Sequence, residues 1–157
     1  MAKNIENELK IENRIRELIK NNIIGSKNEF TLLDNKDITD IIICRNMDNP
    51  KIFFIEVKHY SPTKRLGGVG FGNDDGSGFQ PEILIKRPKY FENNLIWIFC
   101  QENDNNYYVL NNEECLLFIM GGEIGIKQNN FQRKLFVNVK PFNEMELINW
   151  LKKWLQN

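Results

Sequence analysis

One histidine, three cysteines and no net charge limit what this 157-residue chain can be. A lone His59 cannot build a multi-histidine metal site. Cys44, Cys100 and Cys115 are odd in number, lie far apart and form no C-x-x-C pair. That argues against a disulfide framework and against a zinc site. There is no apolar run of about 18 residues, so no membrane-spanning helix is expected. The N-terminal stretch MAKNIENELKIENRIREL is charged and lacks the apolar centre of a signal peptide, which predicts a cytoplasmic protein. The absence of a G-x-x-x-x-G-K-[ST] loop argues against nucleotide hydrolysis and a nucleotide cofactor. The 21 basic and 21 acidic residues cancel, which excludes a binder that holds nucleic acid by bulk positive charge. An enzyme whose charges are segregated along the chain remains open.

The length suits one domain, 1–157, with enough apolar residues for a proper core. No internal repeat occurs, and asparagine is scattered through periodic segments and forms no tract. Residues 5–22 have helical periodicity in Ile5, Leu9, Ile11, Ile15, Leu18 and Ile19, and Gly25 is a plausible stop. Glu29–Leu33 reads as a short strand. Ile41–Cys44 and Ile52–Lys58 read as two strands joined through Asn46-Met47-Asp48-Asn49-Pro50, which is turn chemistry. Both are nearly continuous in apolar residues, as strands covered on both faces are.

Six of the ten glycines fall between Gly67 and Gly78, inside a long loop, 61–80. A short helix at 81–87, strands at 95–99 and 107–110, a helix at 113–120 and a strand at 135–139 follow. Residues 144–155 predict a last amphipathic helix, with Asn143 and Glu146 at capping-box spacing. The order predicts an α/β domain with a mixed central sheet flanked by helices.

Within this frame one constellation carries chemistry. Hydrolysis of a phosphodiester at neutral pH needs a cation to polarise phosphate and activate water. A hard cation such as Mg²⁺ takes oxygen ligands, commonly one or two carboxylates. A nearby lysine stabilises developing charge or orients the water. Asp40 stands at the start of the first hairpin strand, and Glu56 and Lys58 stand near the end of the second. Residues two apart on a strand share a face, so Glu56 and Lys58 point together while Val57 points into the opposite layer. An antiparallel hairpin brings the start of one strand to the end of the other, which places Asp40 beside them. Acid-x-Lys also occurs at Glu8–Lys10 and Asp34–Lys36, but the first lies in a helix and the second in a turn. The alternative is that Asp40 ends a strand and Glu56–Lys58 is a surface ion pair.

Thr39-Asp40-Ile-Ile-Ile-Cys44, a turn, and then Ile52-Phe-Phe-Ile-Glu56-Val57-Lys58 together resemble the PD-(D/E)xK nuclease superfamily. That superfamily includes type II restriction endonucleases and archaeal Holliday-junction resolvases. Thr39 stands where proline is common in it. The resemblance covers roughly the first 60 residues and implies a restriction-endonuclease-like fold. It also implies a Mg²⁺-dependent endonuclease of double-stranded DNA, with Mn²⁺ as a possible substitute. Asp40, Glu56 and the Val57 carbonyl would ligate the metal, and Lys58 would assist the water. The family tends to carry an acid on its first helix. Glu12 fits that position, with apolar residues three, six and seven places later, and Glu8 and Glu17 are the alternatives.

Other features have two readings each. Lys64 and Arg65 in the glycine-rich loop, Gln80 after it, and Lys86, Arg87 and Lys89 beside Tyr90 are candidate DNA contacts. The plainer readings are a mobile loop and a solvated face, and Asp74 and Asp75 keep the whole loop from lying on phosphate. Trp150 and Trp154 suit packing, or a homodimer face, better than base stacking. The zero net charge resolves into opposed segments. Residues 102–123 carry five acids and no Lys or Arg, while 124–157 carry six bases and two acids. The expectation is a type II restriction enzyme working as a homodimer, because one chain of this size supplies one active site and a duplex cut needs two. The rivals are a structure-specific repair or junction-resolving nuclease and a degenerate member that only binds DNA or protein.

Overall fold

A computed structural model describes residues 2–25, 29–34, 39–59, 92–101, 103–111, 114 and 139–157. Among these the chain forms α1 (Ala2–Asn22), β1 (Phe30–Leu33), β2 (Ile41–Arg45), β3 (Lys51–His59), β4 (Leu95–Cys100), β5 (Tyr107–Asn111) and α2 (Glu144–Gln156). A single 3-10 turn, Glu92–Asn94, leads into β4. The five strands make one sheet in sequence order, antiparallel throughout except for the parallel pair β3–β4. The fold is therefore α/β with a mixed sheet, as the element order predicts. The expected helices at 81–87 and 113–120, and most of the expected strand at 135–139, fall outside the described residues.

β2 and β3 form the expected hairpin, in the register Ile41↔Ile55, Ile43↔Phe53 and Arg45↔Lys51. The turn works because Asp48 and Asn49 take positive φ, 42° and 69°, a region that short Asp and Asn side chains tolerate. Arg45 braces the turn: its Nε donates to the Asn49 carbonyl at 3.1 Å and its Nη1 to the Leu155 carbonyl at 2.9 Å. The second bond satisfies a carbonyl in the last turn of α2, which has no partner within its own helix.

Strand alternation separates two apolar faces. Ile41, Ile43, Phe53, Ile55, Val57, Ile96, Ile98, Tyr107 and Val109 face the two helices. On α1 the residues that meet them are Ile11, Ile15 and Ile19, spaced four apart so that they form one stripe. Leu9 lies about half a turn off that stripe and is exposed, contrary to its place in the predicted apolar face. On α2 the inward residues are Leu147, Leu151, Trp154 and Leu155. Trp154 packs edge-on against Phe53 at 5.0 Å and stacks on Trp150 at 5.9 Å, so both tryptophans serve packing. The capping box is present, with Asn143 and Glu146 each receiving the other's backbone N–H at 2.9 Å. The opposite face of the sheet carries Ile42, Phe54, Glu56, Lys58, Leu95, Trp97, Phe99 and Leu110, all buried. No described helix is long and apolar enough to cross a membrane.

Candidate active site

The hairpin register ends at Ile41↔Ile55, and one step further Asp40 comes level with Glu56. Here a side chain replaces the ladder: the Val57 backbone N–H donates to Asp40 Oδ2 at 2.7 Å. Val57 itself points into the helix-side core and is fully buried. Glu56 and Lys58 share the other face, and Lys58 Nζ lies 3.4 Å from Glu56 Oε2. The three residues expected at the site are thus brought together. The surface-pair alternative fails on burial, because Glu56 and Lys58 are each only 8 % exposed.

The sheet explains that burial. In register with Glu56 is Trp97, and in register with Lys58 is Phe99. These apolar neighbours take water away from both charged groups. Loss of water, and next the negative charge of Asp40, hold the Glu56 carboxyl well above the usual carboxylate range, with Lys58 pulling the other way. Burial also works against the charged form of Lys58, but the carboxylates of Glu56, Glu8 and Asp40 together outweigh it and raise its pKa. Lys58 therefore stays an ammonium ion, and the Glu56 carboxyl gives up its proton less readily than an ordinary glutamate.

The helix contributes acids at two levels. Glu8 lies 3.1 Å from Lys58 Nζ, so the lysine is held between Glu8 and Glu56. Glu12, the residue first expected to serve as the helix acid, sits one turn further along and pairs with Arg16 at 2.9 Å. Glu17, the other alternative, is exposed and pairs with Lys20. Arg16 also belongs to the site, beyond the residues to which the sequence pattern points. Its Nη2 donates to the backbone carbonyl of Asp40. The signal for it was the Glu12–Arg16 spacing of four, the favourable acid-first order on a helix.

Asp40, Glu56 and the Val57 carbonyl are oxygen donors of the kind a hard cation takes. The fit rests on the two acids themselves: they lie close enough to repel, in a site poor in water, and a cation relieves that repulsion. Among the described residues no group of three or more His, Cys, Asp or Glu side chains forms a ready metal cage. The candidate DNA contacts Lys64, Arg65, Gln80, Lys86, Arg87 and Lys89 lie outside the described residues, as does the glycine-rich loop. His59, the last residue of β3, is half-buried.

No protein-family model, curated protein or solved structure matches this chain.

Proposed function

We propose that the chain is a Mg²⁺-dependent endonuclease of double-stranded DNA, of the type II restriction class, acting as a homodimer. One observation carries the reading. Asp40, Glu56 and Lys58 meet at the end of a central, otherwise apolar strand, in positions where ionisable groups are costly to keep. Asp40 and Glu56 would hold the cation with the Val57 carbonyl. When bound, the cation would supply Lewis-acid polarisation of the phosphate and a water of lowered pKa. Lys58, charged and held by Glu8 and Glu56, would orient the attacking water and offset charge on the phosphate. Glu8 takes the helix-acid position and keeps Lys58 in place.

The test is incubation of the purified protein with plasmid DNA and Mg²⁺, beside Lys58→Ala and Asp40→Asn. Discrete fragments from the native chain, lost in both variants, support the restriction reading. Cleavage confined to branched substrates assigns a structure-specific nuclease instead. Binding without cleavage assigns a degenerate member. Cleavage that persists in both variants sinks the site assignment.

A further inference from the structure

We propose that Arg16 is a positioning residue, which from α1 grips the backbone carbonyl of Asp40 and so sets where the Asp40 carboxylate stands against Val57 and Glu56. Its consequence for catalysis rests on the nuclease reading above; its geometric content does not.

Asp40 stands one residue before β2 begins, beyond the last paired rung of the hairpin. Something other than the ladder must fix its backbone if its carboxylate is to meet the Val57 N–H. Thr39 does part of this, its hydroxyl donating to the Ile41 carbonyl at 3.2 Å. Arg16 does the rest through the Asp40 carbonyl itself. Arg16 is 6 % exposed, and Glu12, equally buried, takes its Nε at 2.9 Å, with Asp34 Oδ1 3.6 Å from Nη1.

The planar fork matters here. Nε and Nη2 lie on one edge of a rigid group, so anchoring Nε on Glu12 also aims Nη2. A lysine at this position would keep the charge near Glu12 but could not hold two partners in fixed relative geometry. The Glu12–Arg16 pair thus acts as a bracket from the helix to the strand end. Glu12 acts only through Arg16 in this arrangement.

Three variants of the full chain test this: Arg16→Lys, the double variant Arg16→Gln/Glu12→Gln, and Asp40→Asn as a reference for a weakened Val57 bond. The double variant removes both buried charges at once, so it should keep its fold where a single truncation would leave an uncompensated buried charge. The first readout is the Val57 amide by NMR. In both Arg16 variants its resonance should move toward its position in Asp40→Asn, and its hydrogen exchange should quicken by about tenfold, the worth of one hydrogen bond. The second readout is titration with Mg²⁺ alone, followed by thermal shift, in which the half-saturating concentration should rise. The third is cleavage, where kcat should fall by about a hundredfold, as for a misplaced catalytic group, with DNA affinity unchanged.

A Val57 amide that stays in place in folded Arg16 variants overturns the proposal. So does an amide that moves while Mg²⁺ titration and cleavage by an active enzyme are unaltered. If the native chain cleaves no DNA, the nuclease reading fails, and the Val57 and Mg²⁺ readouts still decide the role of Arg16.

Discussion

The Val57 N–H donates to Asp40 Oδ2 at the point where β2 stops supplying backbone partners to β3. One carboxylate thus closes the hairpin end and stands beside Glu56. Structural and chemical roles can be separated by two substitutions. Asp40→Ala leaves the N–H without its acceptor and should cost about 1–3 kcal/mol in urea unfolding. Asp40→Asn keeps a side-chain oxygen and should cost less. On the nuclease reading both should abolish Mg²⁺-dependent cleavage, since neither retains the charge. Equal stability losses in the two variants would show that the bond does not hold the hairpin end.

Lys58 is held between Glu56 at 3.4 Å and Glu8 at 3.1 Å. Lys58→Ala leaves two acids without their shared cation, so it should destabilise the fold by about 3 kcal/mol at neutral pH. Single-turnover cleavage should fall by about 10²–10³-fold, as when a stabiliser of developing charge is removed. Lys58→Ala/Glu8→Gln removes the orphaned charge on the helix side. It should regain part of the stability and none of the rate, which chemical denaturation and quenched-flow cleavage would each report.

Glu56 gives the protein a pH dependence of definite sign. Its folded pKa is raised, so between the ordinary value of 4.5 and the folded value the native state binds more protons than the unfolded chain. Stability from this group is full below 4.5 and declines as pH rises through the folded value. In metal-free protein Glu56→Gln should therefore raise Tm at neutral pH and flatten Tm against pH in the weakly acidic range. On the proposed metal site, Mg²⁺ competes with that proton, so its thermal stabilisation of the native chain should grow with rising pH. A Tm profile of Glu56→Gln parallel to that of the native chain would refute the assignment.

Particular residues show how much of this could be seen in advance. Ile41–Cys44 and Ile52–Lys58, with Asn46–Pro50 between them, are local patterns, and strand alternation fixed the sides on which Glu56, Val57 and Lys58 emerge. Asn143 and Glu146 are likewise a local signal, and their capping box is present. The helix acid was not local. Glu8, Glu12 and Arg16 recur every four residues and share one side of α1. Periodicity therefore cannot say which of them meets Lys58. That depends on where α1 sits along β3, and a shift of one turn, about 5 to 6 Å, exchanges Glu8 for Glu12. Arg14, whose partners lie at Cys100, Gln101 and Asp104, carried no signal at all, because those contacts exist only once the helix docks.

Arg14 supplies the last prediction. Its Nη2 donates to the carbonyls of Gln101 and Asp104 at 3.1 and 3.0 Å and contacts Cys100 Sγ, while its guanidinium lies 5.3 Å over the Tyr107 ring. It thereby ties α1 to the turn between β4 and β5. Burial pushes the Cys100 thiol up to about 11, against the pull of Arg14, which keeps it protonated at about pH 8. The native chain should therefore resist alkylation at Cys100, with modification located by peptide mass spectrometry. Arg14→Met should cost about 2 kcal/mol by leaving those carbonyls unpaired. Two effects then oppose each other at Cys100: loss of the cation raises the thiol pKa further and slows alkylation, while loosening of the turn exposes the sulfur. A turn that opens transiently should win, because the thiol in the open form regains an ordinary pKa. Faster alkylation of Cys100 in Arg14→Met is the expected result, and slower alkylation would mean that Arg14 tunes the thiol without holding the turn.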